Sequence, residues 1–311
     1  MFKGIPKISV LVITYNQEDV ISRAIDSLLF QRDYVFEICV SDDCSKDRTW
    51  EILQNYATHY PDLFVLNRNE PNVGIFENIE KTWSMATGDI IYQLAGDDEC
   101  GSGWFEHVVQ FIDENNIDYK NELFCIYGDY VGLDPQNNQS YHTNNLAMSD
   151  KNLFSLSLRG IVGNRSACYS SNILKNFFTV SKGKSHIAES AQDRQLQLFT
   201  EKNYYIPMVG NIYYSGIGVS SNILNERRYL ERKQINPYMI EQFAKHGYQP
   251  TKSDLRYIEY DNAFLDFLKR KSLANACKLF FRWLMAYDPQ IGIKSLNLDF
   301  ILPHFKKVFV K

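Results

Sequence analysis

Residues 8–13 read Ile-Ser-Val-Leu-Val-Ile, a nearly unbroken apolar run rich in β-branched side chains. Such a run suits a strand covered on both faces, as in a parallel sheet, better than one with a wet side. A strand of this kind needs helices above and below it, and the next residues supply one. Val20, Ile21, Ala24, Ile25, Leu28 and Leu29 recur at helical spacing before a second strand begins over 36–40. The β-α-β unit then repeats. Residues 45–49 open a helix carrying Trp50, Ile52 and Leu53, and residues 63–66 form a strand. A helix over about 74–86 ends near Gly88, and a strand follows over 90–95. Alternation of this sort predicts an open, mainly parallel sheet with helices on both faces, in which ligands bind beyond the carboxyl ends of the strands.

Three of those ends are polar: Thr14-Tyr15-Asn16, Ser41-Asp42-Asp43 and Gly96-Asp97-Asp98-Glu99. Adjacent carboxylates repel one another and lose hydration on leaving water, so the last cluster calls for a cation or else is a solvated acidic turn. A hard divalent ion, Mn²⁺ or Mg²⁺, fits an oxygen donor set and leaves positions for phosphate oxygens of a substrate. No GxGxxG follows the first strand, which argues against a dinucleotide site, and no GxxxxGK[ST] is present.

Beyond residue 100 the spacing predicts a helix over 104–115, a strand over 124–130 and a loop over the polar run 134–145. A helix over 189–200 carries Asp193 and Arg194, and a strand over 204–214 is interrupted by Pro207. From about 221 onward the patterns are helical. The net charge of -4 hides an asymmetry: residues 221–311 carry 16 Lys/Arg against 9 Asp/Glu, and residues 1–220 carry 17 against 28. A basic, aromatic tail suits an anionic surface, although a solvated basic helix bundle has the same composition. The six cysteines show no CxxC pair and no zinc-ligand spacing, so reduced thiols are expected, and His142 and His186 read as ordinary surface residues. With no signal-peptide pattern and no long apolar span, the expected location is cytoplasmic.

Four ordered motifs together resemble family 2 glycosyltransferases: the first strand ending in Thr14-Tyr15-Asn16; Val40 to Asp47; Asn72, Val73 and Gly74 with Asn78; and Ala86 to Asp98. The resemblance is strong over about the first hundred residues and weaker to about 220. It implies the GT-A fold, a Rossmann-like α/β arrangement with a mainly parallel mixed sheet, here as a catalytic domain over 1–220 followed by a helical region over 221–311. It implies an inverting enzyme that moves a sugar from a nucleotide-sugar donor, a UDP-sugar, to a hydroxyl of a glycan or lipid-linked saccharide acceptor. The setting would be bacterial surface polysaccharide synthesis.

By the same resemblance, Thr14, Tyr15, Asn16, Asp43 and Asp97 touch the nucleotide, with Tyr15 stacked on the base and Asp43 reading it, while Asp42 serves an Asx turn. Asp97 and Asp98 hold Mn²⁺ or Mg²⁺, with Glu99 as an optional third donor; Ala95 stands where many relatives carry an acid. Asp193 is the expected catalytic base, Glu189 its competitor, and Gln192 replaces a usual acid. The stretch 213–220 lacks the basic residue that often faces the diphosphate; Gly216 and Gly218 either offer backbone N–H groups to phosphate there or form a plain turn. Asn164 and Arg165 are acceptor candidates. A peripheral contact between the basic C-terminal region and the inner face of the membrane is a further expectation; a nucleic-acid partner is not. A metal-dependent sugar-nucleotide hydrolase or nucleotidyltransferase, and a non-catalytic scaffold, stay open as alternatives.

Overall fold

A computed structural model of the chain describes residues 4–134, 136, 138–144, 155, 158, 165–176, 195–215, 236–238, 240–247, 249–270 and 272–287. Its first half realises the alternating pattern. Strand β1 (Ile8–Thr14) is followed by α1 (Ile21–Leu29), β2 (Glu37–Asp42), α2 (Thr49–His59), β3 (Phe64–Arg68), α3 (Ile75–Met85) and β4 (Ile90–Ala95). Strands β2 and β4 flank β1 in parallel register, and β3 extends the sheet beyond β2.

The strand period of two divides the core between two layers. Val10, Val12, Ile38, Val40, Tyr92 and Leu94 join α1 and later α4 in one buried cluster. Their sequence neighbours Leu11, Cys39 and Ile91 face a second cluster with Cys125, Tyr127 and Tyr169. Both faces of β1, β2 and β4 are therefore dry, which is why these strands read as continuous apolar runs.

The second half departs from simple alternation. After the short β5 (Glu99–Cys100) and α4 (Trp104–Glu114) come β6 (Phe124–Leu133), β7 (Gln139–His142), β8 (Cys168–Ser170) and β9 (Lys202–Tyr214). The sheet runs β3-β2-β1-β4-β8-β6-β9-β5, with β7 paired to β6. Strand β8 lies antiparallel between β4 and β6, so the chain before it leads back to the carboxyl end of β4. Expected as loop, the polar run beyond Asp134 instead supplies β7, an exposed strand in a hairpin with β6. Polarity misled because one edge of a hairpin satisfies its backbone without burying side chains. Pro207 does not end β9: the ladder to β6 jumps from Tyr127↔Tyr205 to Asp129↔Val209, and the irregularity absorbs the proline.

The C-terminal helices α5 (Lys252–Lys269) and α6 (Leu273–Met285) pack on each other and onto the rest of the molecule. Thr251 and Asp254 form a reciprocal capping box at the start of α5, and Asp254 also accepts a hydrogen bond from Ser155. Tyr257, Tyr260, Phe264 and Leu279 share a core cluster with Leu158, and Phe76 and Leu198 pack against it. Among the described residues no helix is long and apolar enough to cross a membrane.

Candidate active site

The carboxyl ends of β1, β2 and β4 converge, as the parallel register requires. The two turns after β1 and β2 are locked to each other by reciprocal hydrogen bonds. The Asn16 N–H donates to Ser45 Oγ at 2.9 Å, and the Lys46 N–H donates to Asn16 Oδ1 at 2.8 Å. Gln17 N–H reaches Thr49 Oγ1 at 2.8 Å, and Thr14 Oγ1 bonds Gln17 Oε1 at 2.7 Å. Asn16 takes φ 51°, a left-handed conformation that asparagine tolerates. The result is a braced rim on which Tyr15 stands 43% exposed, its ring available to a planar ligand, while Thr14 is buried beneath it.

Asp42 has a structural role, but its backbone bond goes to Ser45, three residues on, and not to residue 44 as the expected Asx turn requires. Its carboxylate accepts from the Ser45 N–H at 3.1 Å and from the Ser45 hydroxyl, and Arg68 Nε lies 3.4 Å away. Burial pushes the Asp42 carboxyl above its ordinary pKa, against the opposing pull of Ser45 and Arg68. Asp43, expected to read the base, is engaged by the loop that enters α3. Its Oδ1 accepts from Val73 N–H at 2.8 Å and Asn69 Nδ2 at 3.0 Å, and its Oδ2 accepts from Gly74 N–H at 2.9 Å. A carboxylate has about four acceptor positions, so three such bonds leave about one for a ligand. Asp43 is buried and shapes the loop that enters α3, while Arg68, at the end of β3 and partly exposed, is the nearby cation that motif reading passed over.

The acidic turn after β4 is brought tight against β1 through Gly96. A Cβ there would sit 2.4 Å from Gln17 Oε1 and 3.1 Å from the Ile13 carbonyl, so glycine is what allows the approach. Asp97 and Asp98 are 8% and 2% exposed. Each acid of the turn meets an arginine or its surroundings. Arg23, on the first turn of α1, donates Nη2 to the Asp97 carbonyl at 2.6 Å, and its Nε lies 3.2 Å from Glu99 Oε1. Its guanidinium covers the Tyr214 ring at 3.5 Å, and the Tyr214 hydroxyl donates to Glu99. Burial and then Glu99 push the Tyr214 hydroxyl up to about 12. Glu99 is thus engaged in holding β9 and α1 to the turn, which speaks against the optional role of third metal donor.

Arg165, expected on the acceptor side, lies across the turn. Its Nη1 is 3.4 Å from Asp98 Oδ2, its guanidinium covers the Tyr213 ring at 3.8 Å, and Asp98 Oδ1 accepts from Tyr214 N–H at 3.2 Å. The antiparallel run of β8 beside β4 makes this contact possible. The donor chemistry suits a hard divalent ion: Asp97 and Asp98 are adjacent carboxylates, nearly buried at a strand end, with further positions left to water and phosphate oxygens. Among the described residues no group of three or more His, Cys, Asp or Glu gathers as a metal cluster. Asp193 and its neighbours Glu189 and Gln192, together with Asn164, Gly216 and Gly218, lie outside the described residues.

This arrangement of strand ends belongs to the GT-A class of nucleotide-diphospho-sugar transferase folds. The Glycosyl transferase family 2 profile matches residues 9–167, just over half of the chain, and the chain belongs to that family. It is 34% identical over 110 residues to the putative glycosyltransferase EpsE of Bacillus subtilis, covering 35% of this chain and 40% of EpsE. It is also 34% identical over 116 residues to a poly(ribitol-phosphate) beta-glucosyltransferase of Bacillus spizizenii, covering 36% of this chain and 18% of that protein. The matched stretches therefore span less than half the length of these curated relatives. Among solved structures, residues 1–349 of S. aureus TarS in complex with UDP-GlcNAc superpose with a TM-score of 0.63 at 17% identity, over 89% of this chain and 79% of that one. The mannosyltransferase PcManGT of Pyrobaculum calidifontis, in complex with GDP-Man and Mn²⁺, superposes with a TM-score of 0.53 at 15% identity, over 98% of this chain and 81% of that one.

Proposed function

We propose that the chain is an inverting glycosyltransferase that transfers a sugar from a UDP-sugar to a hydroxyl of a glycan acceptor in bacterial surface polysaccharide synthesis. The observation that carries this reading is the meeting, at one edge of a parallel sheet, of an exposed tyrosine on a braced rim with a buried Asp97-Asp98 pair. The first is suited to a nucleobase and the second to a diphosphate with its cation. Tyr15 stacks on the base, and Thr14 and Asn16 hold its turn. Asp43 supports the base subsite by fixing the loop at 72–74, and Arg68 offers the adjacent positive charge. Asp97 and Asp98 would hold Mn²⁺ or Mg²⁺, which when bound supplies positive charge to the departing diphosphate.

The remaining chemistry is a proton transfer. A carboxylate must accept the acceptor hydroxyl proton on the face of the sugar opposite the leaving diphosphate, and Asp193 is assigned that role by its place in the motif order. The division into a catalytic domain over 1–220 and a helical region over 221–311 is part of the same proposal. The helical region is assigned a peripheral contact with the inner membrane face, where a lipid-linked saccharide acceptor would be met. Support comes from α6, whose Phe280, Phe281, Leu284 and Met285 are all at least 43% exposed.

The test is incubation with a panel of UDP-sugars and Mn²⁺, with and without saccharide acceptors, followed by product analysis. A new glycosidic bond of inverted anomeric configuration is the expected product. Release of free sugar regardless of acceptor would favour the hydrolase alternative, and absence of any cation-dependent UDP binding would leave only a scaffold.

A further inference from the structure

A cleft of about 620 Å³ opens between the second half of α3 and the 3₁₀ turn Ser171–Asn176 that follows β8. That volume falls within the about 300–1,000 Å³ of small-molecule sites. Thr87 and Gly88 line the cleft just before β4, whereas the acidic turn at 96–99 follows the other end of that strand. The six residues of β4, at about 3.3 Å each, put roughly 20 Å of strand between the two. The cleft is therefore separate from the proposed donor site.

Its floor is held firmly. Glu37 Oε1 accepts the Thr87 N–H at 2.6 Å, the Thr87 hydroxyl at 3.0 Å and the Ser9 hydroxyl at 2.6 Å, and Ser9 Oγ accepts the Gly88 N–H at 2.8 Å. The Ser171 N–H donates to the Asp89 carbonyl at 2.9 Å, which ties the opposite wall to the same strand end. Trp83 packs against the second core cluster, as does Leu174, so the indole is in place before any ligand arrives.

The lining decides the ligand. Trp83 stands beside the hydroxyls of Ser84, Thr87 and Ser171, the Glu80 carboxyl and the Lys175 ammonium. Among the described lining residues the charged groups are one carboxylate and one ammonium, a balance that favours a neutral ligand over phosphate or another anion. Burial, followed by Glu77, holds the Glu80 carboxyl above its ordinary pKa. Hydroxyls and a carboxyl are too polar a lining for an acyl chain. A pyranose satisfies both halves of it: a C–H face lies on the indole, and the ring hydroxyls donate and accept as the side chains around them require.

We propose that this cleft is a second saccharide-binding site, which holds a neutral segment of a glycan at the end of the sheet opposite the reaction centre. That the ligand is a saccharide rests on the lining; that the glycan is the acceptor rests on the transferase reading above. Anchoring at this distance raises the effective concentration of a long acceptor near the donor and gives a short acceptor no advantage.

Saturation-transfer NMR on the full chain, with maltotetraose, cellotetraose and chitotetraose as probes and neither nucleotide nor cation present, tests the assignment. Transfer to at least one of them is expected, undiminished by saturating UDP with MnCl₂. Ser84→Tyr puts a ring into the cleft from an exposed helix position, and Trp83→Leu removes the aromatic wall. Each is expected to weaken binding of that oligosaccharide about tenfold, Ser84→Tyr with the melting temperature of wild type. Absence of transfer to all the probes, displacement by UDP, or wild-type affinity in Ser84→Tyr overturns the proposal. A UDP titration with MnCl₂ on the same samples reports on the transferase reading separately: failure there with saccharide binding retained removes the acceptor role and leaves the saccharide site standing.

Discussion

The Asp43 carboxylate accepts the backbone N–H of Gly74 at 2.9 Å, a contact between residues 31 positions apart that closes the turn after β2 onto the start of α3. Val73 N–H joins the same carboxylate at 2.8 Å, and Asn72 Nδ2 donates to the Asp43 carbonyl at 2.7 Å. One side chain thereby organises the wall of the proposed base subsite.

Replacing Asp43 by Ala is expected to lower stability by about 3 kcal/mol, because several buried N–H donors lose their acceptor together. Nucleotide binding would weaken as a consequence, through the displaced loop. Thermal denaturation alongside UDP titration checks this: a variant with wild-type stability and abolished UDP binding would mean that Asp43 contacts the base after all.

Asp97→Asn and Asp98→Asn are expected to remove the Mn²⁺-dependent part of UDP binding while the chain stays folded. Asp193→Asn should keep UDP binding within about twofold and reduce transfer by about a thousandfold, the range for removal of a general base. Calorimetry with UDP and Mn²⁺, set beside turnover with an identified acceptor, distinguishes the two classes. Near-normal turnover by Asp193→Asn would transfer the base role to Glu189.

Gly96→Ala should displace the acidic turn, since the added carbon meets Gln17 Oε1 at 2.4 Å and the Ile13 carbonyl at 3.1 Å. The expected cost is about 1–2 kcal/mol of stability. A shift of under an ångström at a site that depends on orientation is expected to reduce turnover by about tenfold or more. Steady-state kinetics and chemical denaturation measure both, and an unchanged turnover would show that the turn tolerates the displacement.

Asp129 is buried in β6 and accepts from the hydroxyls of Tyr141 and Tyr205 and from the Asn144 N–H at 3.0 Å. This carboxylate, followed by burial, pushes the Tyr141 hydroxyl from 10.0 up to about 12. With the folded-state value raised, the stabilising contribution is complete below about pH 10 and is lost as pH rises through about 12. Asp129→Asn should bring Tyr141 back towards its ordinary value in a tyrosine absorbance titration and lower stability by about 1–3 kcal/mol. An unshifted titration curve would place the cause elsewhere.

Deleting residues 251–311 is expected to destabilise the chain as well as to alter membrane contact, because Tyr257, Tyr260 and Phe264 pack with Leu158 and Phe76. Point changes on the exposed face of α6 separate the two effects. Phe281, 64% exposed, can become Glu with a stability change within about 0.5 kcal/mol. Flotation with anionic liposomes should then show reduced association while activity on a soluble acceptor is retained; unaltered flotation would remove α6 from the membrane contact.

The β-α-β order, the burial of β1, β2 and β4 on both faces and the placing of polar motifs at three strand ends were all determined by local sequence. Each depends on a periodicity or a run of side chains that needs no distant partner to be recognised, and the placing of Tyr15, Asp97 and Asp98 just beyond strand ends was legible for that reason. The tertiary structure decided how the site is wired. Arg165 meets Asp98 across 67 positions because the three residues of β8 slip antiparallel between β4 and β6, a placement that so short a segment does not signal by itself. Arg23 meets Glu99, and Asp43 is committed to Val73 and Gly74, through sheet order and loop closure in the same way. Side-chain chemistry announced which groups need a partner; only the packing of non-adjacent strands determined which partner each one has.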